Sequence, residues 1–374
     1  IYLPTLAIQQ VVPTLNPVLI TIVVSIFCVA YTSMGGIEAV LWSDAIQTVV
    51  LLLGAFLVII VGFSSAPEGV GQGFKLLADD GKIISPDFFS LDLAKSSIWV
   101  MIVGGFVNSI YSYVGSQDIV QRYATNKDEH EAKKSLFMNV PLLCTSIVIF
   151  IGMGSALHIY FHFKTTLPEN INGNAILPYF IVNALPVGIS GLVIAAIFAA
   201  AQSTVSSILN SVSTCMTADI LEYFKSGMED KSKLKFARVS SWIVGIFSTL
   251  LAIYFIYNGQ GDMFLYFQAI TGLLGGPIAG VFLIGIFFDK VESKAVWIGF
   301  IVSVIIAFYV SDPAGMLTKF IPGYVKPKIF EFMLSFIIIG SSVIVSFIAS
   351  FFFGRPSEEK IKGLTYSTTI KNQK

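Results

Sequence analysis

From residue 17 onward the chain alternates between apolar runs of about twenty residues and shorter stretches rich in charge, Gly or Pro. Breakers such as Pro13, Asn16-Pro17 and Gly35-Gly36 punctuate the first runs. Cutting the chain there predicts about ten helical spans, near 1–14 (partial), 17–34, 39–63, 98–118, 136–160, 189–220, 239–257, 263–288, 295–310 and 330–352. The connections are short except 64–97, 161–188 and 311–329. No run alternates apolar and polar with a period of two, which argues against a transmembrane barrel of strands.

Composition strengthens this picture. Hydrophobic residues make up 55% of the 374, charged residues only 12%, and mean hydropathy is +0.80. A soluble domain carries about 25% charge. The chain therefore reads as an all-α polytopic membrane protein with one transmembrane domain, 1–354, and a polar, disordered tail, 355–374. A net charge of zero leaves no basic footprint for nucleic acid. Cys28, Cys144 and Cys215 have no metal or disulfide spacing. The opening IYLPTLAIQQ has no initiator Met and reads as a hydrophobic helix already under way, so helices are expected to precede it.

Lys and Arg divide unevenly between alternate loops. Sixteen fall in one set (Arg122 to Lys134, Lys225 to Arg238, Lys290, Lys294 and the tail) and seven in the other (Lys75, Lys82, Lys95, Lys164, Lys319, Lys326 and Lys328). The positive-inside tendency puts the richer set, the C-terminus included, in the cytoplasm.

Polar groups inside a bilayer cost free energy and mark pathways. In AAIFAAAQSTVSSILNSVST (195–214), Ser203, Ser206, Ser207, Asn210 and Thr214 fall within about 100° of one another at helical spacing. Val205, Ile208, Leu209 and Val212 take the opposite side. Such hydroxyls can bond their own i−4 carbonyls, and small residues such as Ala199 to Ala201 can serve close helix packing. A hard monovalent cation offers the other use, because it needs several oxygens. In GGIEAVLWSDAIQ (35–47), Glu38 suits a helix N-terminus through the dipole. Asp44 lies deeper, and either supports that terminus or ligands a cation from the bundle interior.

Together these motifs resemble the sodium/solute symporter family. YTSMGGIEAVLWSDAIQ is similar to its Gly-Gly turn followed by an aromatic, Ser, Asp and Gln, and the 191–220 segment to its serine-rich eighth core helix. GSQDIVQRY resembles the end of the sixth core helix, and FQAITGLLGGPIAGVFLIGIFF the tenth. The resemblance implies a leucine-transporter-like fold of two inverted five-helix repeats, entered here within the third core helix. It implies Na⁺ as coupling ion, bound by a carbonyl and two hydroxyls matching Ala200, Ser203 and Thr204. In the sialic acid branch a second Na⁺ lies near the equivalents of Asp44, Ser206 and Ser207. For substrate, the matching positions are Ser109, Ser112, Tyr113 and Gln268. Sugar-transporting members carry an Asn and a Lys where this chain has Ser109 and Leu143, which argues against a hexose.

The expected function is Na⁺-coupled symport of a small organic anion, sialic acid foremost, by a bilayer-embedded monomer in a bacterial inner membrane. Symport of proline, a sugar or another small solute is the alternative, and a transporter-like ligand sensor is the alternative from another class. The short tail, without a kinase segment, weighs against the sensor. No enzyme motif emerges. HEAKK (130–134) lacks the second His of a zinc protease. His158 and His162, four residues apart with no carboxylate beside them in sequence, read as an interfacial pair rather than a metal site.

Overall fold

A computed structural model describes residues 1–373 apart from positions 170, 172, 187, 226, 259–261, 313 and 314. Within helices it describes the backbone but not the side chains of residues 10–11, 34–41, 43 and 370–373. All regular secondary structure among the described residues is helical, with no strand. In chain order the helices are α1 (Tyr2–Val11), α2 (Pro17–Phe63), α3 (Val70–Asp79), α4 (Ile98–Ile110), α5 (Gln117–Ala124) and α6 (Glu129–Phe163). There follow α7 (Ile176–Ala184), α8 (Ile189–Cys215), α9 (Glu222–Phe224), α10 (Asp230–Asn258), α11 (Met263–Ile270) and α12 (Gly276–Phe287). The last five are α13 (Ser293–Ser311), α14 (Met316–Phe320), α15 (Glu331–Ser350), α16 (Glu358–Ile361) and α17 (Tyr366–Gln373). Among the described residues, eight stretches are long and apolar enough to cross a membrane, and Pro17–Ser33 is a shorter apolar one. With α1 these account for the ten spans expected from the pattern.

Two compact units form, and each has its own core. The first joins Ile1–Ile84 to Gln121–Asp262. Its main cluster is Val58, Phe180, Ile181, Leu185 and Val193, all buried. Phe180 and Ile181 belong to α7, inside the connection 161–188, so that connection supplies core rather than mere loop. Gly62 and Gly54 let helices touch: a Cβ on Gly62 would overlap the backbone of Ala156 on α6, and one on Gly54 would lie 3.1 Å from Ala196 Cβ on α8.

Both halves of α2 pack on α8. Ile20, Val24 and Cys28 cluster with Phe198 and Val205, while Val58 clusters with Val193. A straight helix of 47 residues would span about 70 Å and could not bring both ends to one partner. α2, helical over its whole length, therefore cannot be straight between Cys28 and Asp44. The break expected at Gly35-Gly36 falls in this interval, where the backbone stays helical, and Glu38 lies outside the described side chains. α6 begins seven residues before the expected span because Asp128 caps it, its side chain accepting from the Glu131 amide at 2.8 Å, and Glu129 pairs with Lys133 at 2.7 Å.

The second unit joins Ser85–Val120 to Met263–Lys374. Ala307, Val310, Leu334 and Ile338 form its core. Gly104 abuts the Phe332 backbone, and Gly276 abuts Ile338. Two helices are interrupted by wider, π-helical turns, Tyr111–Gly115 and Thr271–Gly275. A Cβ on Gly275 would sit 2.7 Å from the Tyr111 ring, so the two wide turns pack face to face. The polar tail is not the disordered segment expected from its composition. It forms α16 and α17, buries Thr365, rests Tyr366 on Phe287 at 6.1 Å, and bonds Ser367 to Asp289 at 3.2 Å.

Candidate functional site

The polar face of α8 and the second half of α2 meet antiparallel. Gly54 faces Ala196, and Asp44, ten residues earlier, faces Ser207, eleven residues later. Equal steps of about 15 Å along both helices make this register a consequence of the small residues above it. The Asp44 carboxylate is buried, at 8% exposure.

Ser207 donates its hydroxyl to Asp44 Oδ2 at 3.3 Å. Arg122, near the end of α5, brings one guanidinium nitrogen to both: Nη2 donates to Asp44 Oδ2 at 2.7 Å and to Ser207 Oγ at 2.8 Å. Beside it, Asn210 donates to Gln121 Oε1 at 3.2 Å. One carboxylate, one guanidinium, two amides and a hydroxyl therefore converge from α2, α5 and α8. Asp44 Oδ1 is buried with no hydrogen-bond partner among the described residues, and so is Gln47 Oε1 one turn further along α2. Each such oxygen costs about 1–3 kcal/mol relative to a satisfied one.

Of the residues expected at the two ion positions, hydrogen bonds join some, while others bond only within α8. Thr204 Oγ1 donates to the Ala200 carbonyl at 3.0 Å, so those two oxygens are adjacent. Ser206 donates to the Ser203 carbonyl at 3.0 Å, and no hydrogen bond among the described residues links it to Asp44. Ser211, Ser213 and Thr214 all bond carbonyls of α8 itself. Of the hydroxyls on the stripe, only Ser207 hydrogen-bonds to another helix among the described residues.

The residues expected at the substrate lie in the second unit. Ser109 is exposed and donates to Gly105 O at 2.8 Å, while Ser112 and Tyr113 sit in the wide turn Tyr111–Gly115. Gln268 is buried on α11, three residues before the other wide turn. Such turns disturb the regular carbonyl ladder and occur often at functional sites.

Arg122 and Gln47 lie inside the quoted motifs, but sequence reasoning gave neither a role in the site. Arg122 stood among the loop charges and inside the motif GSQDIVQRY, with no role in the site. Its signal is rarity: a chain with twenty Lys keeps Arg at three places, and this is one. A guanidinium fork serves several acceptors where an ammonium is a point charge. The histidines also gained a partner, since His158 Nε2 lies 2.7 Å from Asp80 Oδ2, a carboxylate brought in by α3. No cluster of three metal-ligating side chains occurs among the described residues.

The sequence profile of the sodium:solute symporter family matches residues 11–303. The chain is 33% identical over 341 residues to the sodium/sialic acid symporter NanT of Aliivibrio fischeri, covering 88% of this chain and 67% of that protein. It is 37% identical over 306 residues to the sodium/sialic acid symporter SiaT of Proteus mirabilis, covering 81% and 62%. The chain thus spans roughly two thirds of these relatives' length. Among solved structures, a substrate-bound, outward-open Na⁺-coupled sialic acid symporter matches with a TM-score of 0.83 and 34% identity, over 95% of this chain and 71% of that one. The all-α, leucine-transporter-like fold implied by the motifs is therefore the fold of this chain. It belongs to the sodium:solute symporter family, and is a multi-pass membrane transporter rather than an enzyme.

Proposed function

We propose that the protein is a Na⁺-coupled importer of sialic acid that works by alternating access in a bacterial plasma membrane, with its C-terminus in the cytoplasm. The observation that carries Na⁺ coupling is the oxygen-lined face of α8 opposite the buried carboxylate of Asp44. A hard monovalent ion suits that chemistry, because hydroxyl, carbonyl and carboxylate oxygens replace its water. One Na⁺ is held by Ala200, Ser203 and Thr204, and a second by Asp44, Ser206 and Ser207. Sialic acid as substrate is supported by the two curated relatives and the solved neighbour, all three named as sialic acid symporters. Ser109, Ser112, Tyr113 and Gln268 contribute the substrate contacts of the second unit. The loop charge asymmetry supports the orientation.

The test is uptake of labelled sialic acid, proline and glucose into proteoliposomes, with and without an inward Na⁺ gradient. Uptake of sialic acid alone, and only with the gradient, is expected; Na⁺-independent uptake refutes the coupling, and proline or glucose uptake refutes the substrate. Ser203→Ala and Thr204→Ala are each expected to raise the Na⁺ concentration for half-maximal uptake about ten-fold, the worth of one lost ligand. An unchanged Na⁺ dependence in Ser203→Ala removes that residue from the site.

A further inference from the structure

Asp44 and Gln47 lie three residues apart on one face of α2, and each has a buried oxygen that no donor among the described residues satisfies. Asp44 is itself 92% buried, from its 8% exposure. The guanidinium of Arg122 approaches the other carboxylate oxygen and Ser207, but leaves Asp44 Oδ1 and Gln47 Oε1 alone. The Arg122 side chain is 39% exposed, against 11% for Asp44, so it reaches in from the rim while the carboxylate stays inside. Arg122 therefore neutralises the site without saturating its oxygens.

We propose that Gln47 is a further Na⁺ ligand beside Asp44 and Ser207, and that Arg122 is a tethered counter-cation that the ion must displace. This deepens the second ion position of the proposed function and rests on that reading. Two carboxylate oxygens, one amide oxygen and one hydroxyl make an all-oxygen donor set suited to a small hard cation. Such an ion would draw on the two oxygens that Nη2 leaves unpaired. The exchange also conserves charge: when Na⁺ enters, one positive charge replaces another beside Asp44, and neither state leaves the buried carboxylate bare. The side chain freed from Asp44 and Ser207 swings outward on its flexible stem. Because one site takes either cation, Arg122 weakens apparent Na⁺ affinity and sets the concentration at which the site fills. The hydrogen bond between Asn210 and Gln121 lets α5 stay on α8 while the arginine leaves.

The test titrates the purified full-length protein in nanodiscs with Na⁺, choline making up the ionic strength and no substrate present. Na⁺-dependent shifts in the unfolding midpoint are read. Asp44→Asn fixes which part of the response belongs to this site. Arg122→Gln is expected to lower the half-saturating Na⁺ about five-fold or more, because the competitor is gone. Arg122→Lys, which keeps the charge, is expected to stay within about two-fold of wild type, and Gln47→Leu to raise the value about five-fold. An arginine that merely holds α5 to α8 gives an unchanged or higher value in Arg122→Gln, which overturns the competition. An unchanged value in Gln47→Leu overturns the added ligand. If Arg122→Gln does not yield folded protein, Gln47→Leu and Arg122→Lys decide, and the proposal falls if Gln47→Leu is silent. A wild-type protein indifferent to Na⁺ refutes the proposed function itself.

Discussion

α8 in the first unit and α15 in the second are both apolar helices rich in serine, yet they use the hydroxyls in opposite ways. On α15, Ser342 and Ser346 are fully buried, and their Oγ atoms have no partner among the described residues. Across from them stand Gly280 on α12 and Gly299 on α13, so close that a Cβ on either glycine would overlap a serine side chain. Those serines act as small knobs in a tight helix contact. On α8, Ser207 faces not a glycine but Asp44 and Arg122, and it bonds to both. The count of hydroxyls therefore does not distinguish a pathway from a packing seam. The group opposite does.

The largest effect expected from this contrast is on the packing side. In Gly299→Val the new Cβ meets the Ser342 carbonyl at 2.6 Å as well as the Ser346 side chain. A backbone carbonyl cannot rotate away, so the cost is about 3 kcal/mol or more. Size-exclusion profiles and unfolding midpoints should show strong loss of folded protein. Any Gly299→Ala protein that folds should keep its Na⁺ half-saturation. Adding Ser346→Gly to Gly299→Ala should recover part of the midpoint, and no recovery would mean that the carbonyl contact dominates.

On the ion side the expected change is in affinity rather than folding. Asp44→Asn removes the carboxylate and strands the Arg122 charge, and is expected to raise the Na⁺ concentration for half-maximal uptake at least about ten-fold. Ser207→Ala removes one hydroxyl and should raise it about three-fold. Equal effects on uptake and on unfolding midpoint, with no change in Na⁺ dependence, would move α8 into the same class as α15. Gly275→Ala should act elsewhere, because its Cβ would press on Tyr111 in the turn carrying Ser112 and Tyr113. It is expected to raise the substrate KM about three-fold while leaving Na⁺ half-saturation alone.

How much of this was legible beforehand follows from what sequence spacing can encode. Apolar run length gave the spans, and the angular position of Ser203, Ser206, Ser207, Asn210 and Thr214 gave the face, because both are properties of one helix. The pairing of Asp44 with Ser207 came from the family resemblance. Its register depends on Gly54 and Ala196, which are ordinary small residues when read alone. Arg122 was invisible as a site residue because its role requires α5 to bring it between α2 and α8, 78 and 85 residues away in the chain. The tail misled for a related reason. Its polar composition suggests disorder, but Phe287 and Asp289 offer contacts that composition does not contain. The wide turns at Tyr111–Gly115 and Thr271–Gly275 left no mark in hydropathy, since one extra residue per turn leaves the pattern apolar.

The smallest effect tests the contrast most directly. Ser342→Ala deletes a hydroxyl that has no hydrogen-bond partner among the described residues and that lies against the Cα of Gly280. A buried hydroxyl without a partner is a cost to the folded state, so removing it leaves at most a void of one oxygen in exchange for a relieved polar atom. The two terms oppose each other, and the net change is expected within about 0.5 kcal/mol, with the unfolding midpoint and Na⁺ half-saturation both near wild type. Ser207→Ala is the same chemical change in another apolar helix, but its hydroxyl links a carboxylate to a guanidinium. If Ser342→Ala shifted Na⁺ dependence as Ser207→Ala is expected to do, burial of a hydroxyl alone would be enough to couple a helix to the ion. The group opposite would then lose its standing as the discriminator.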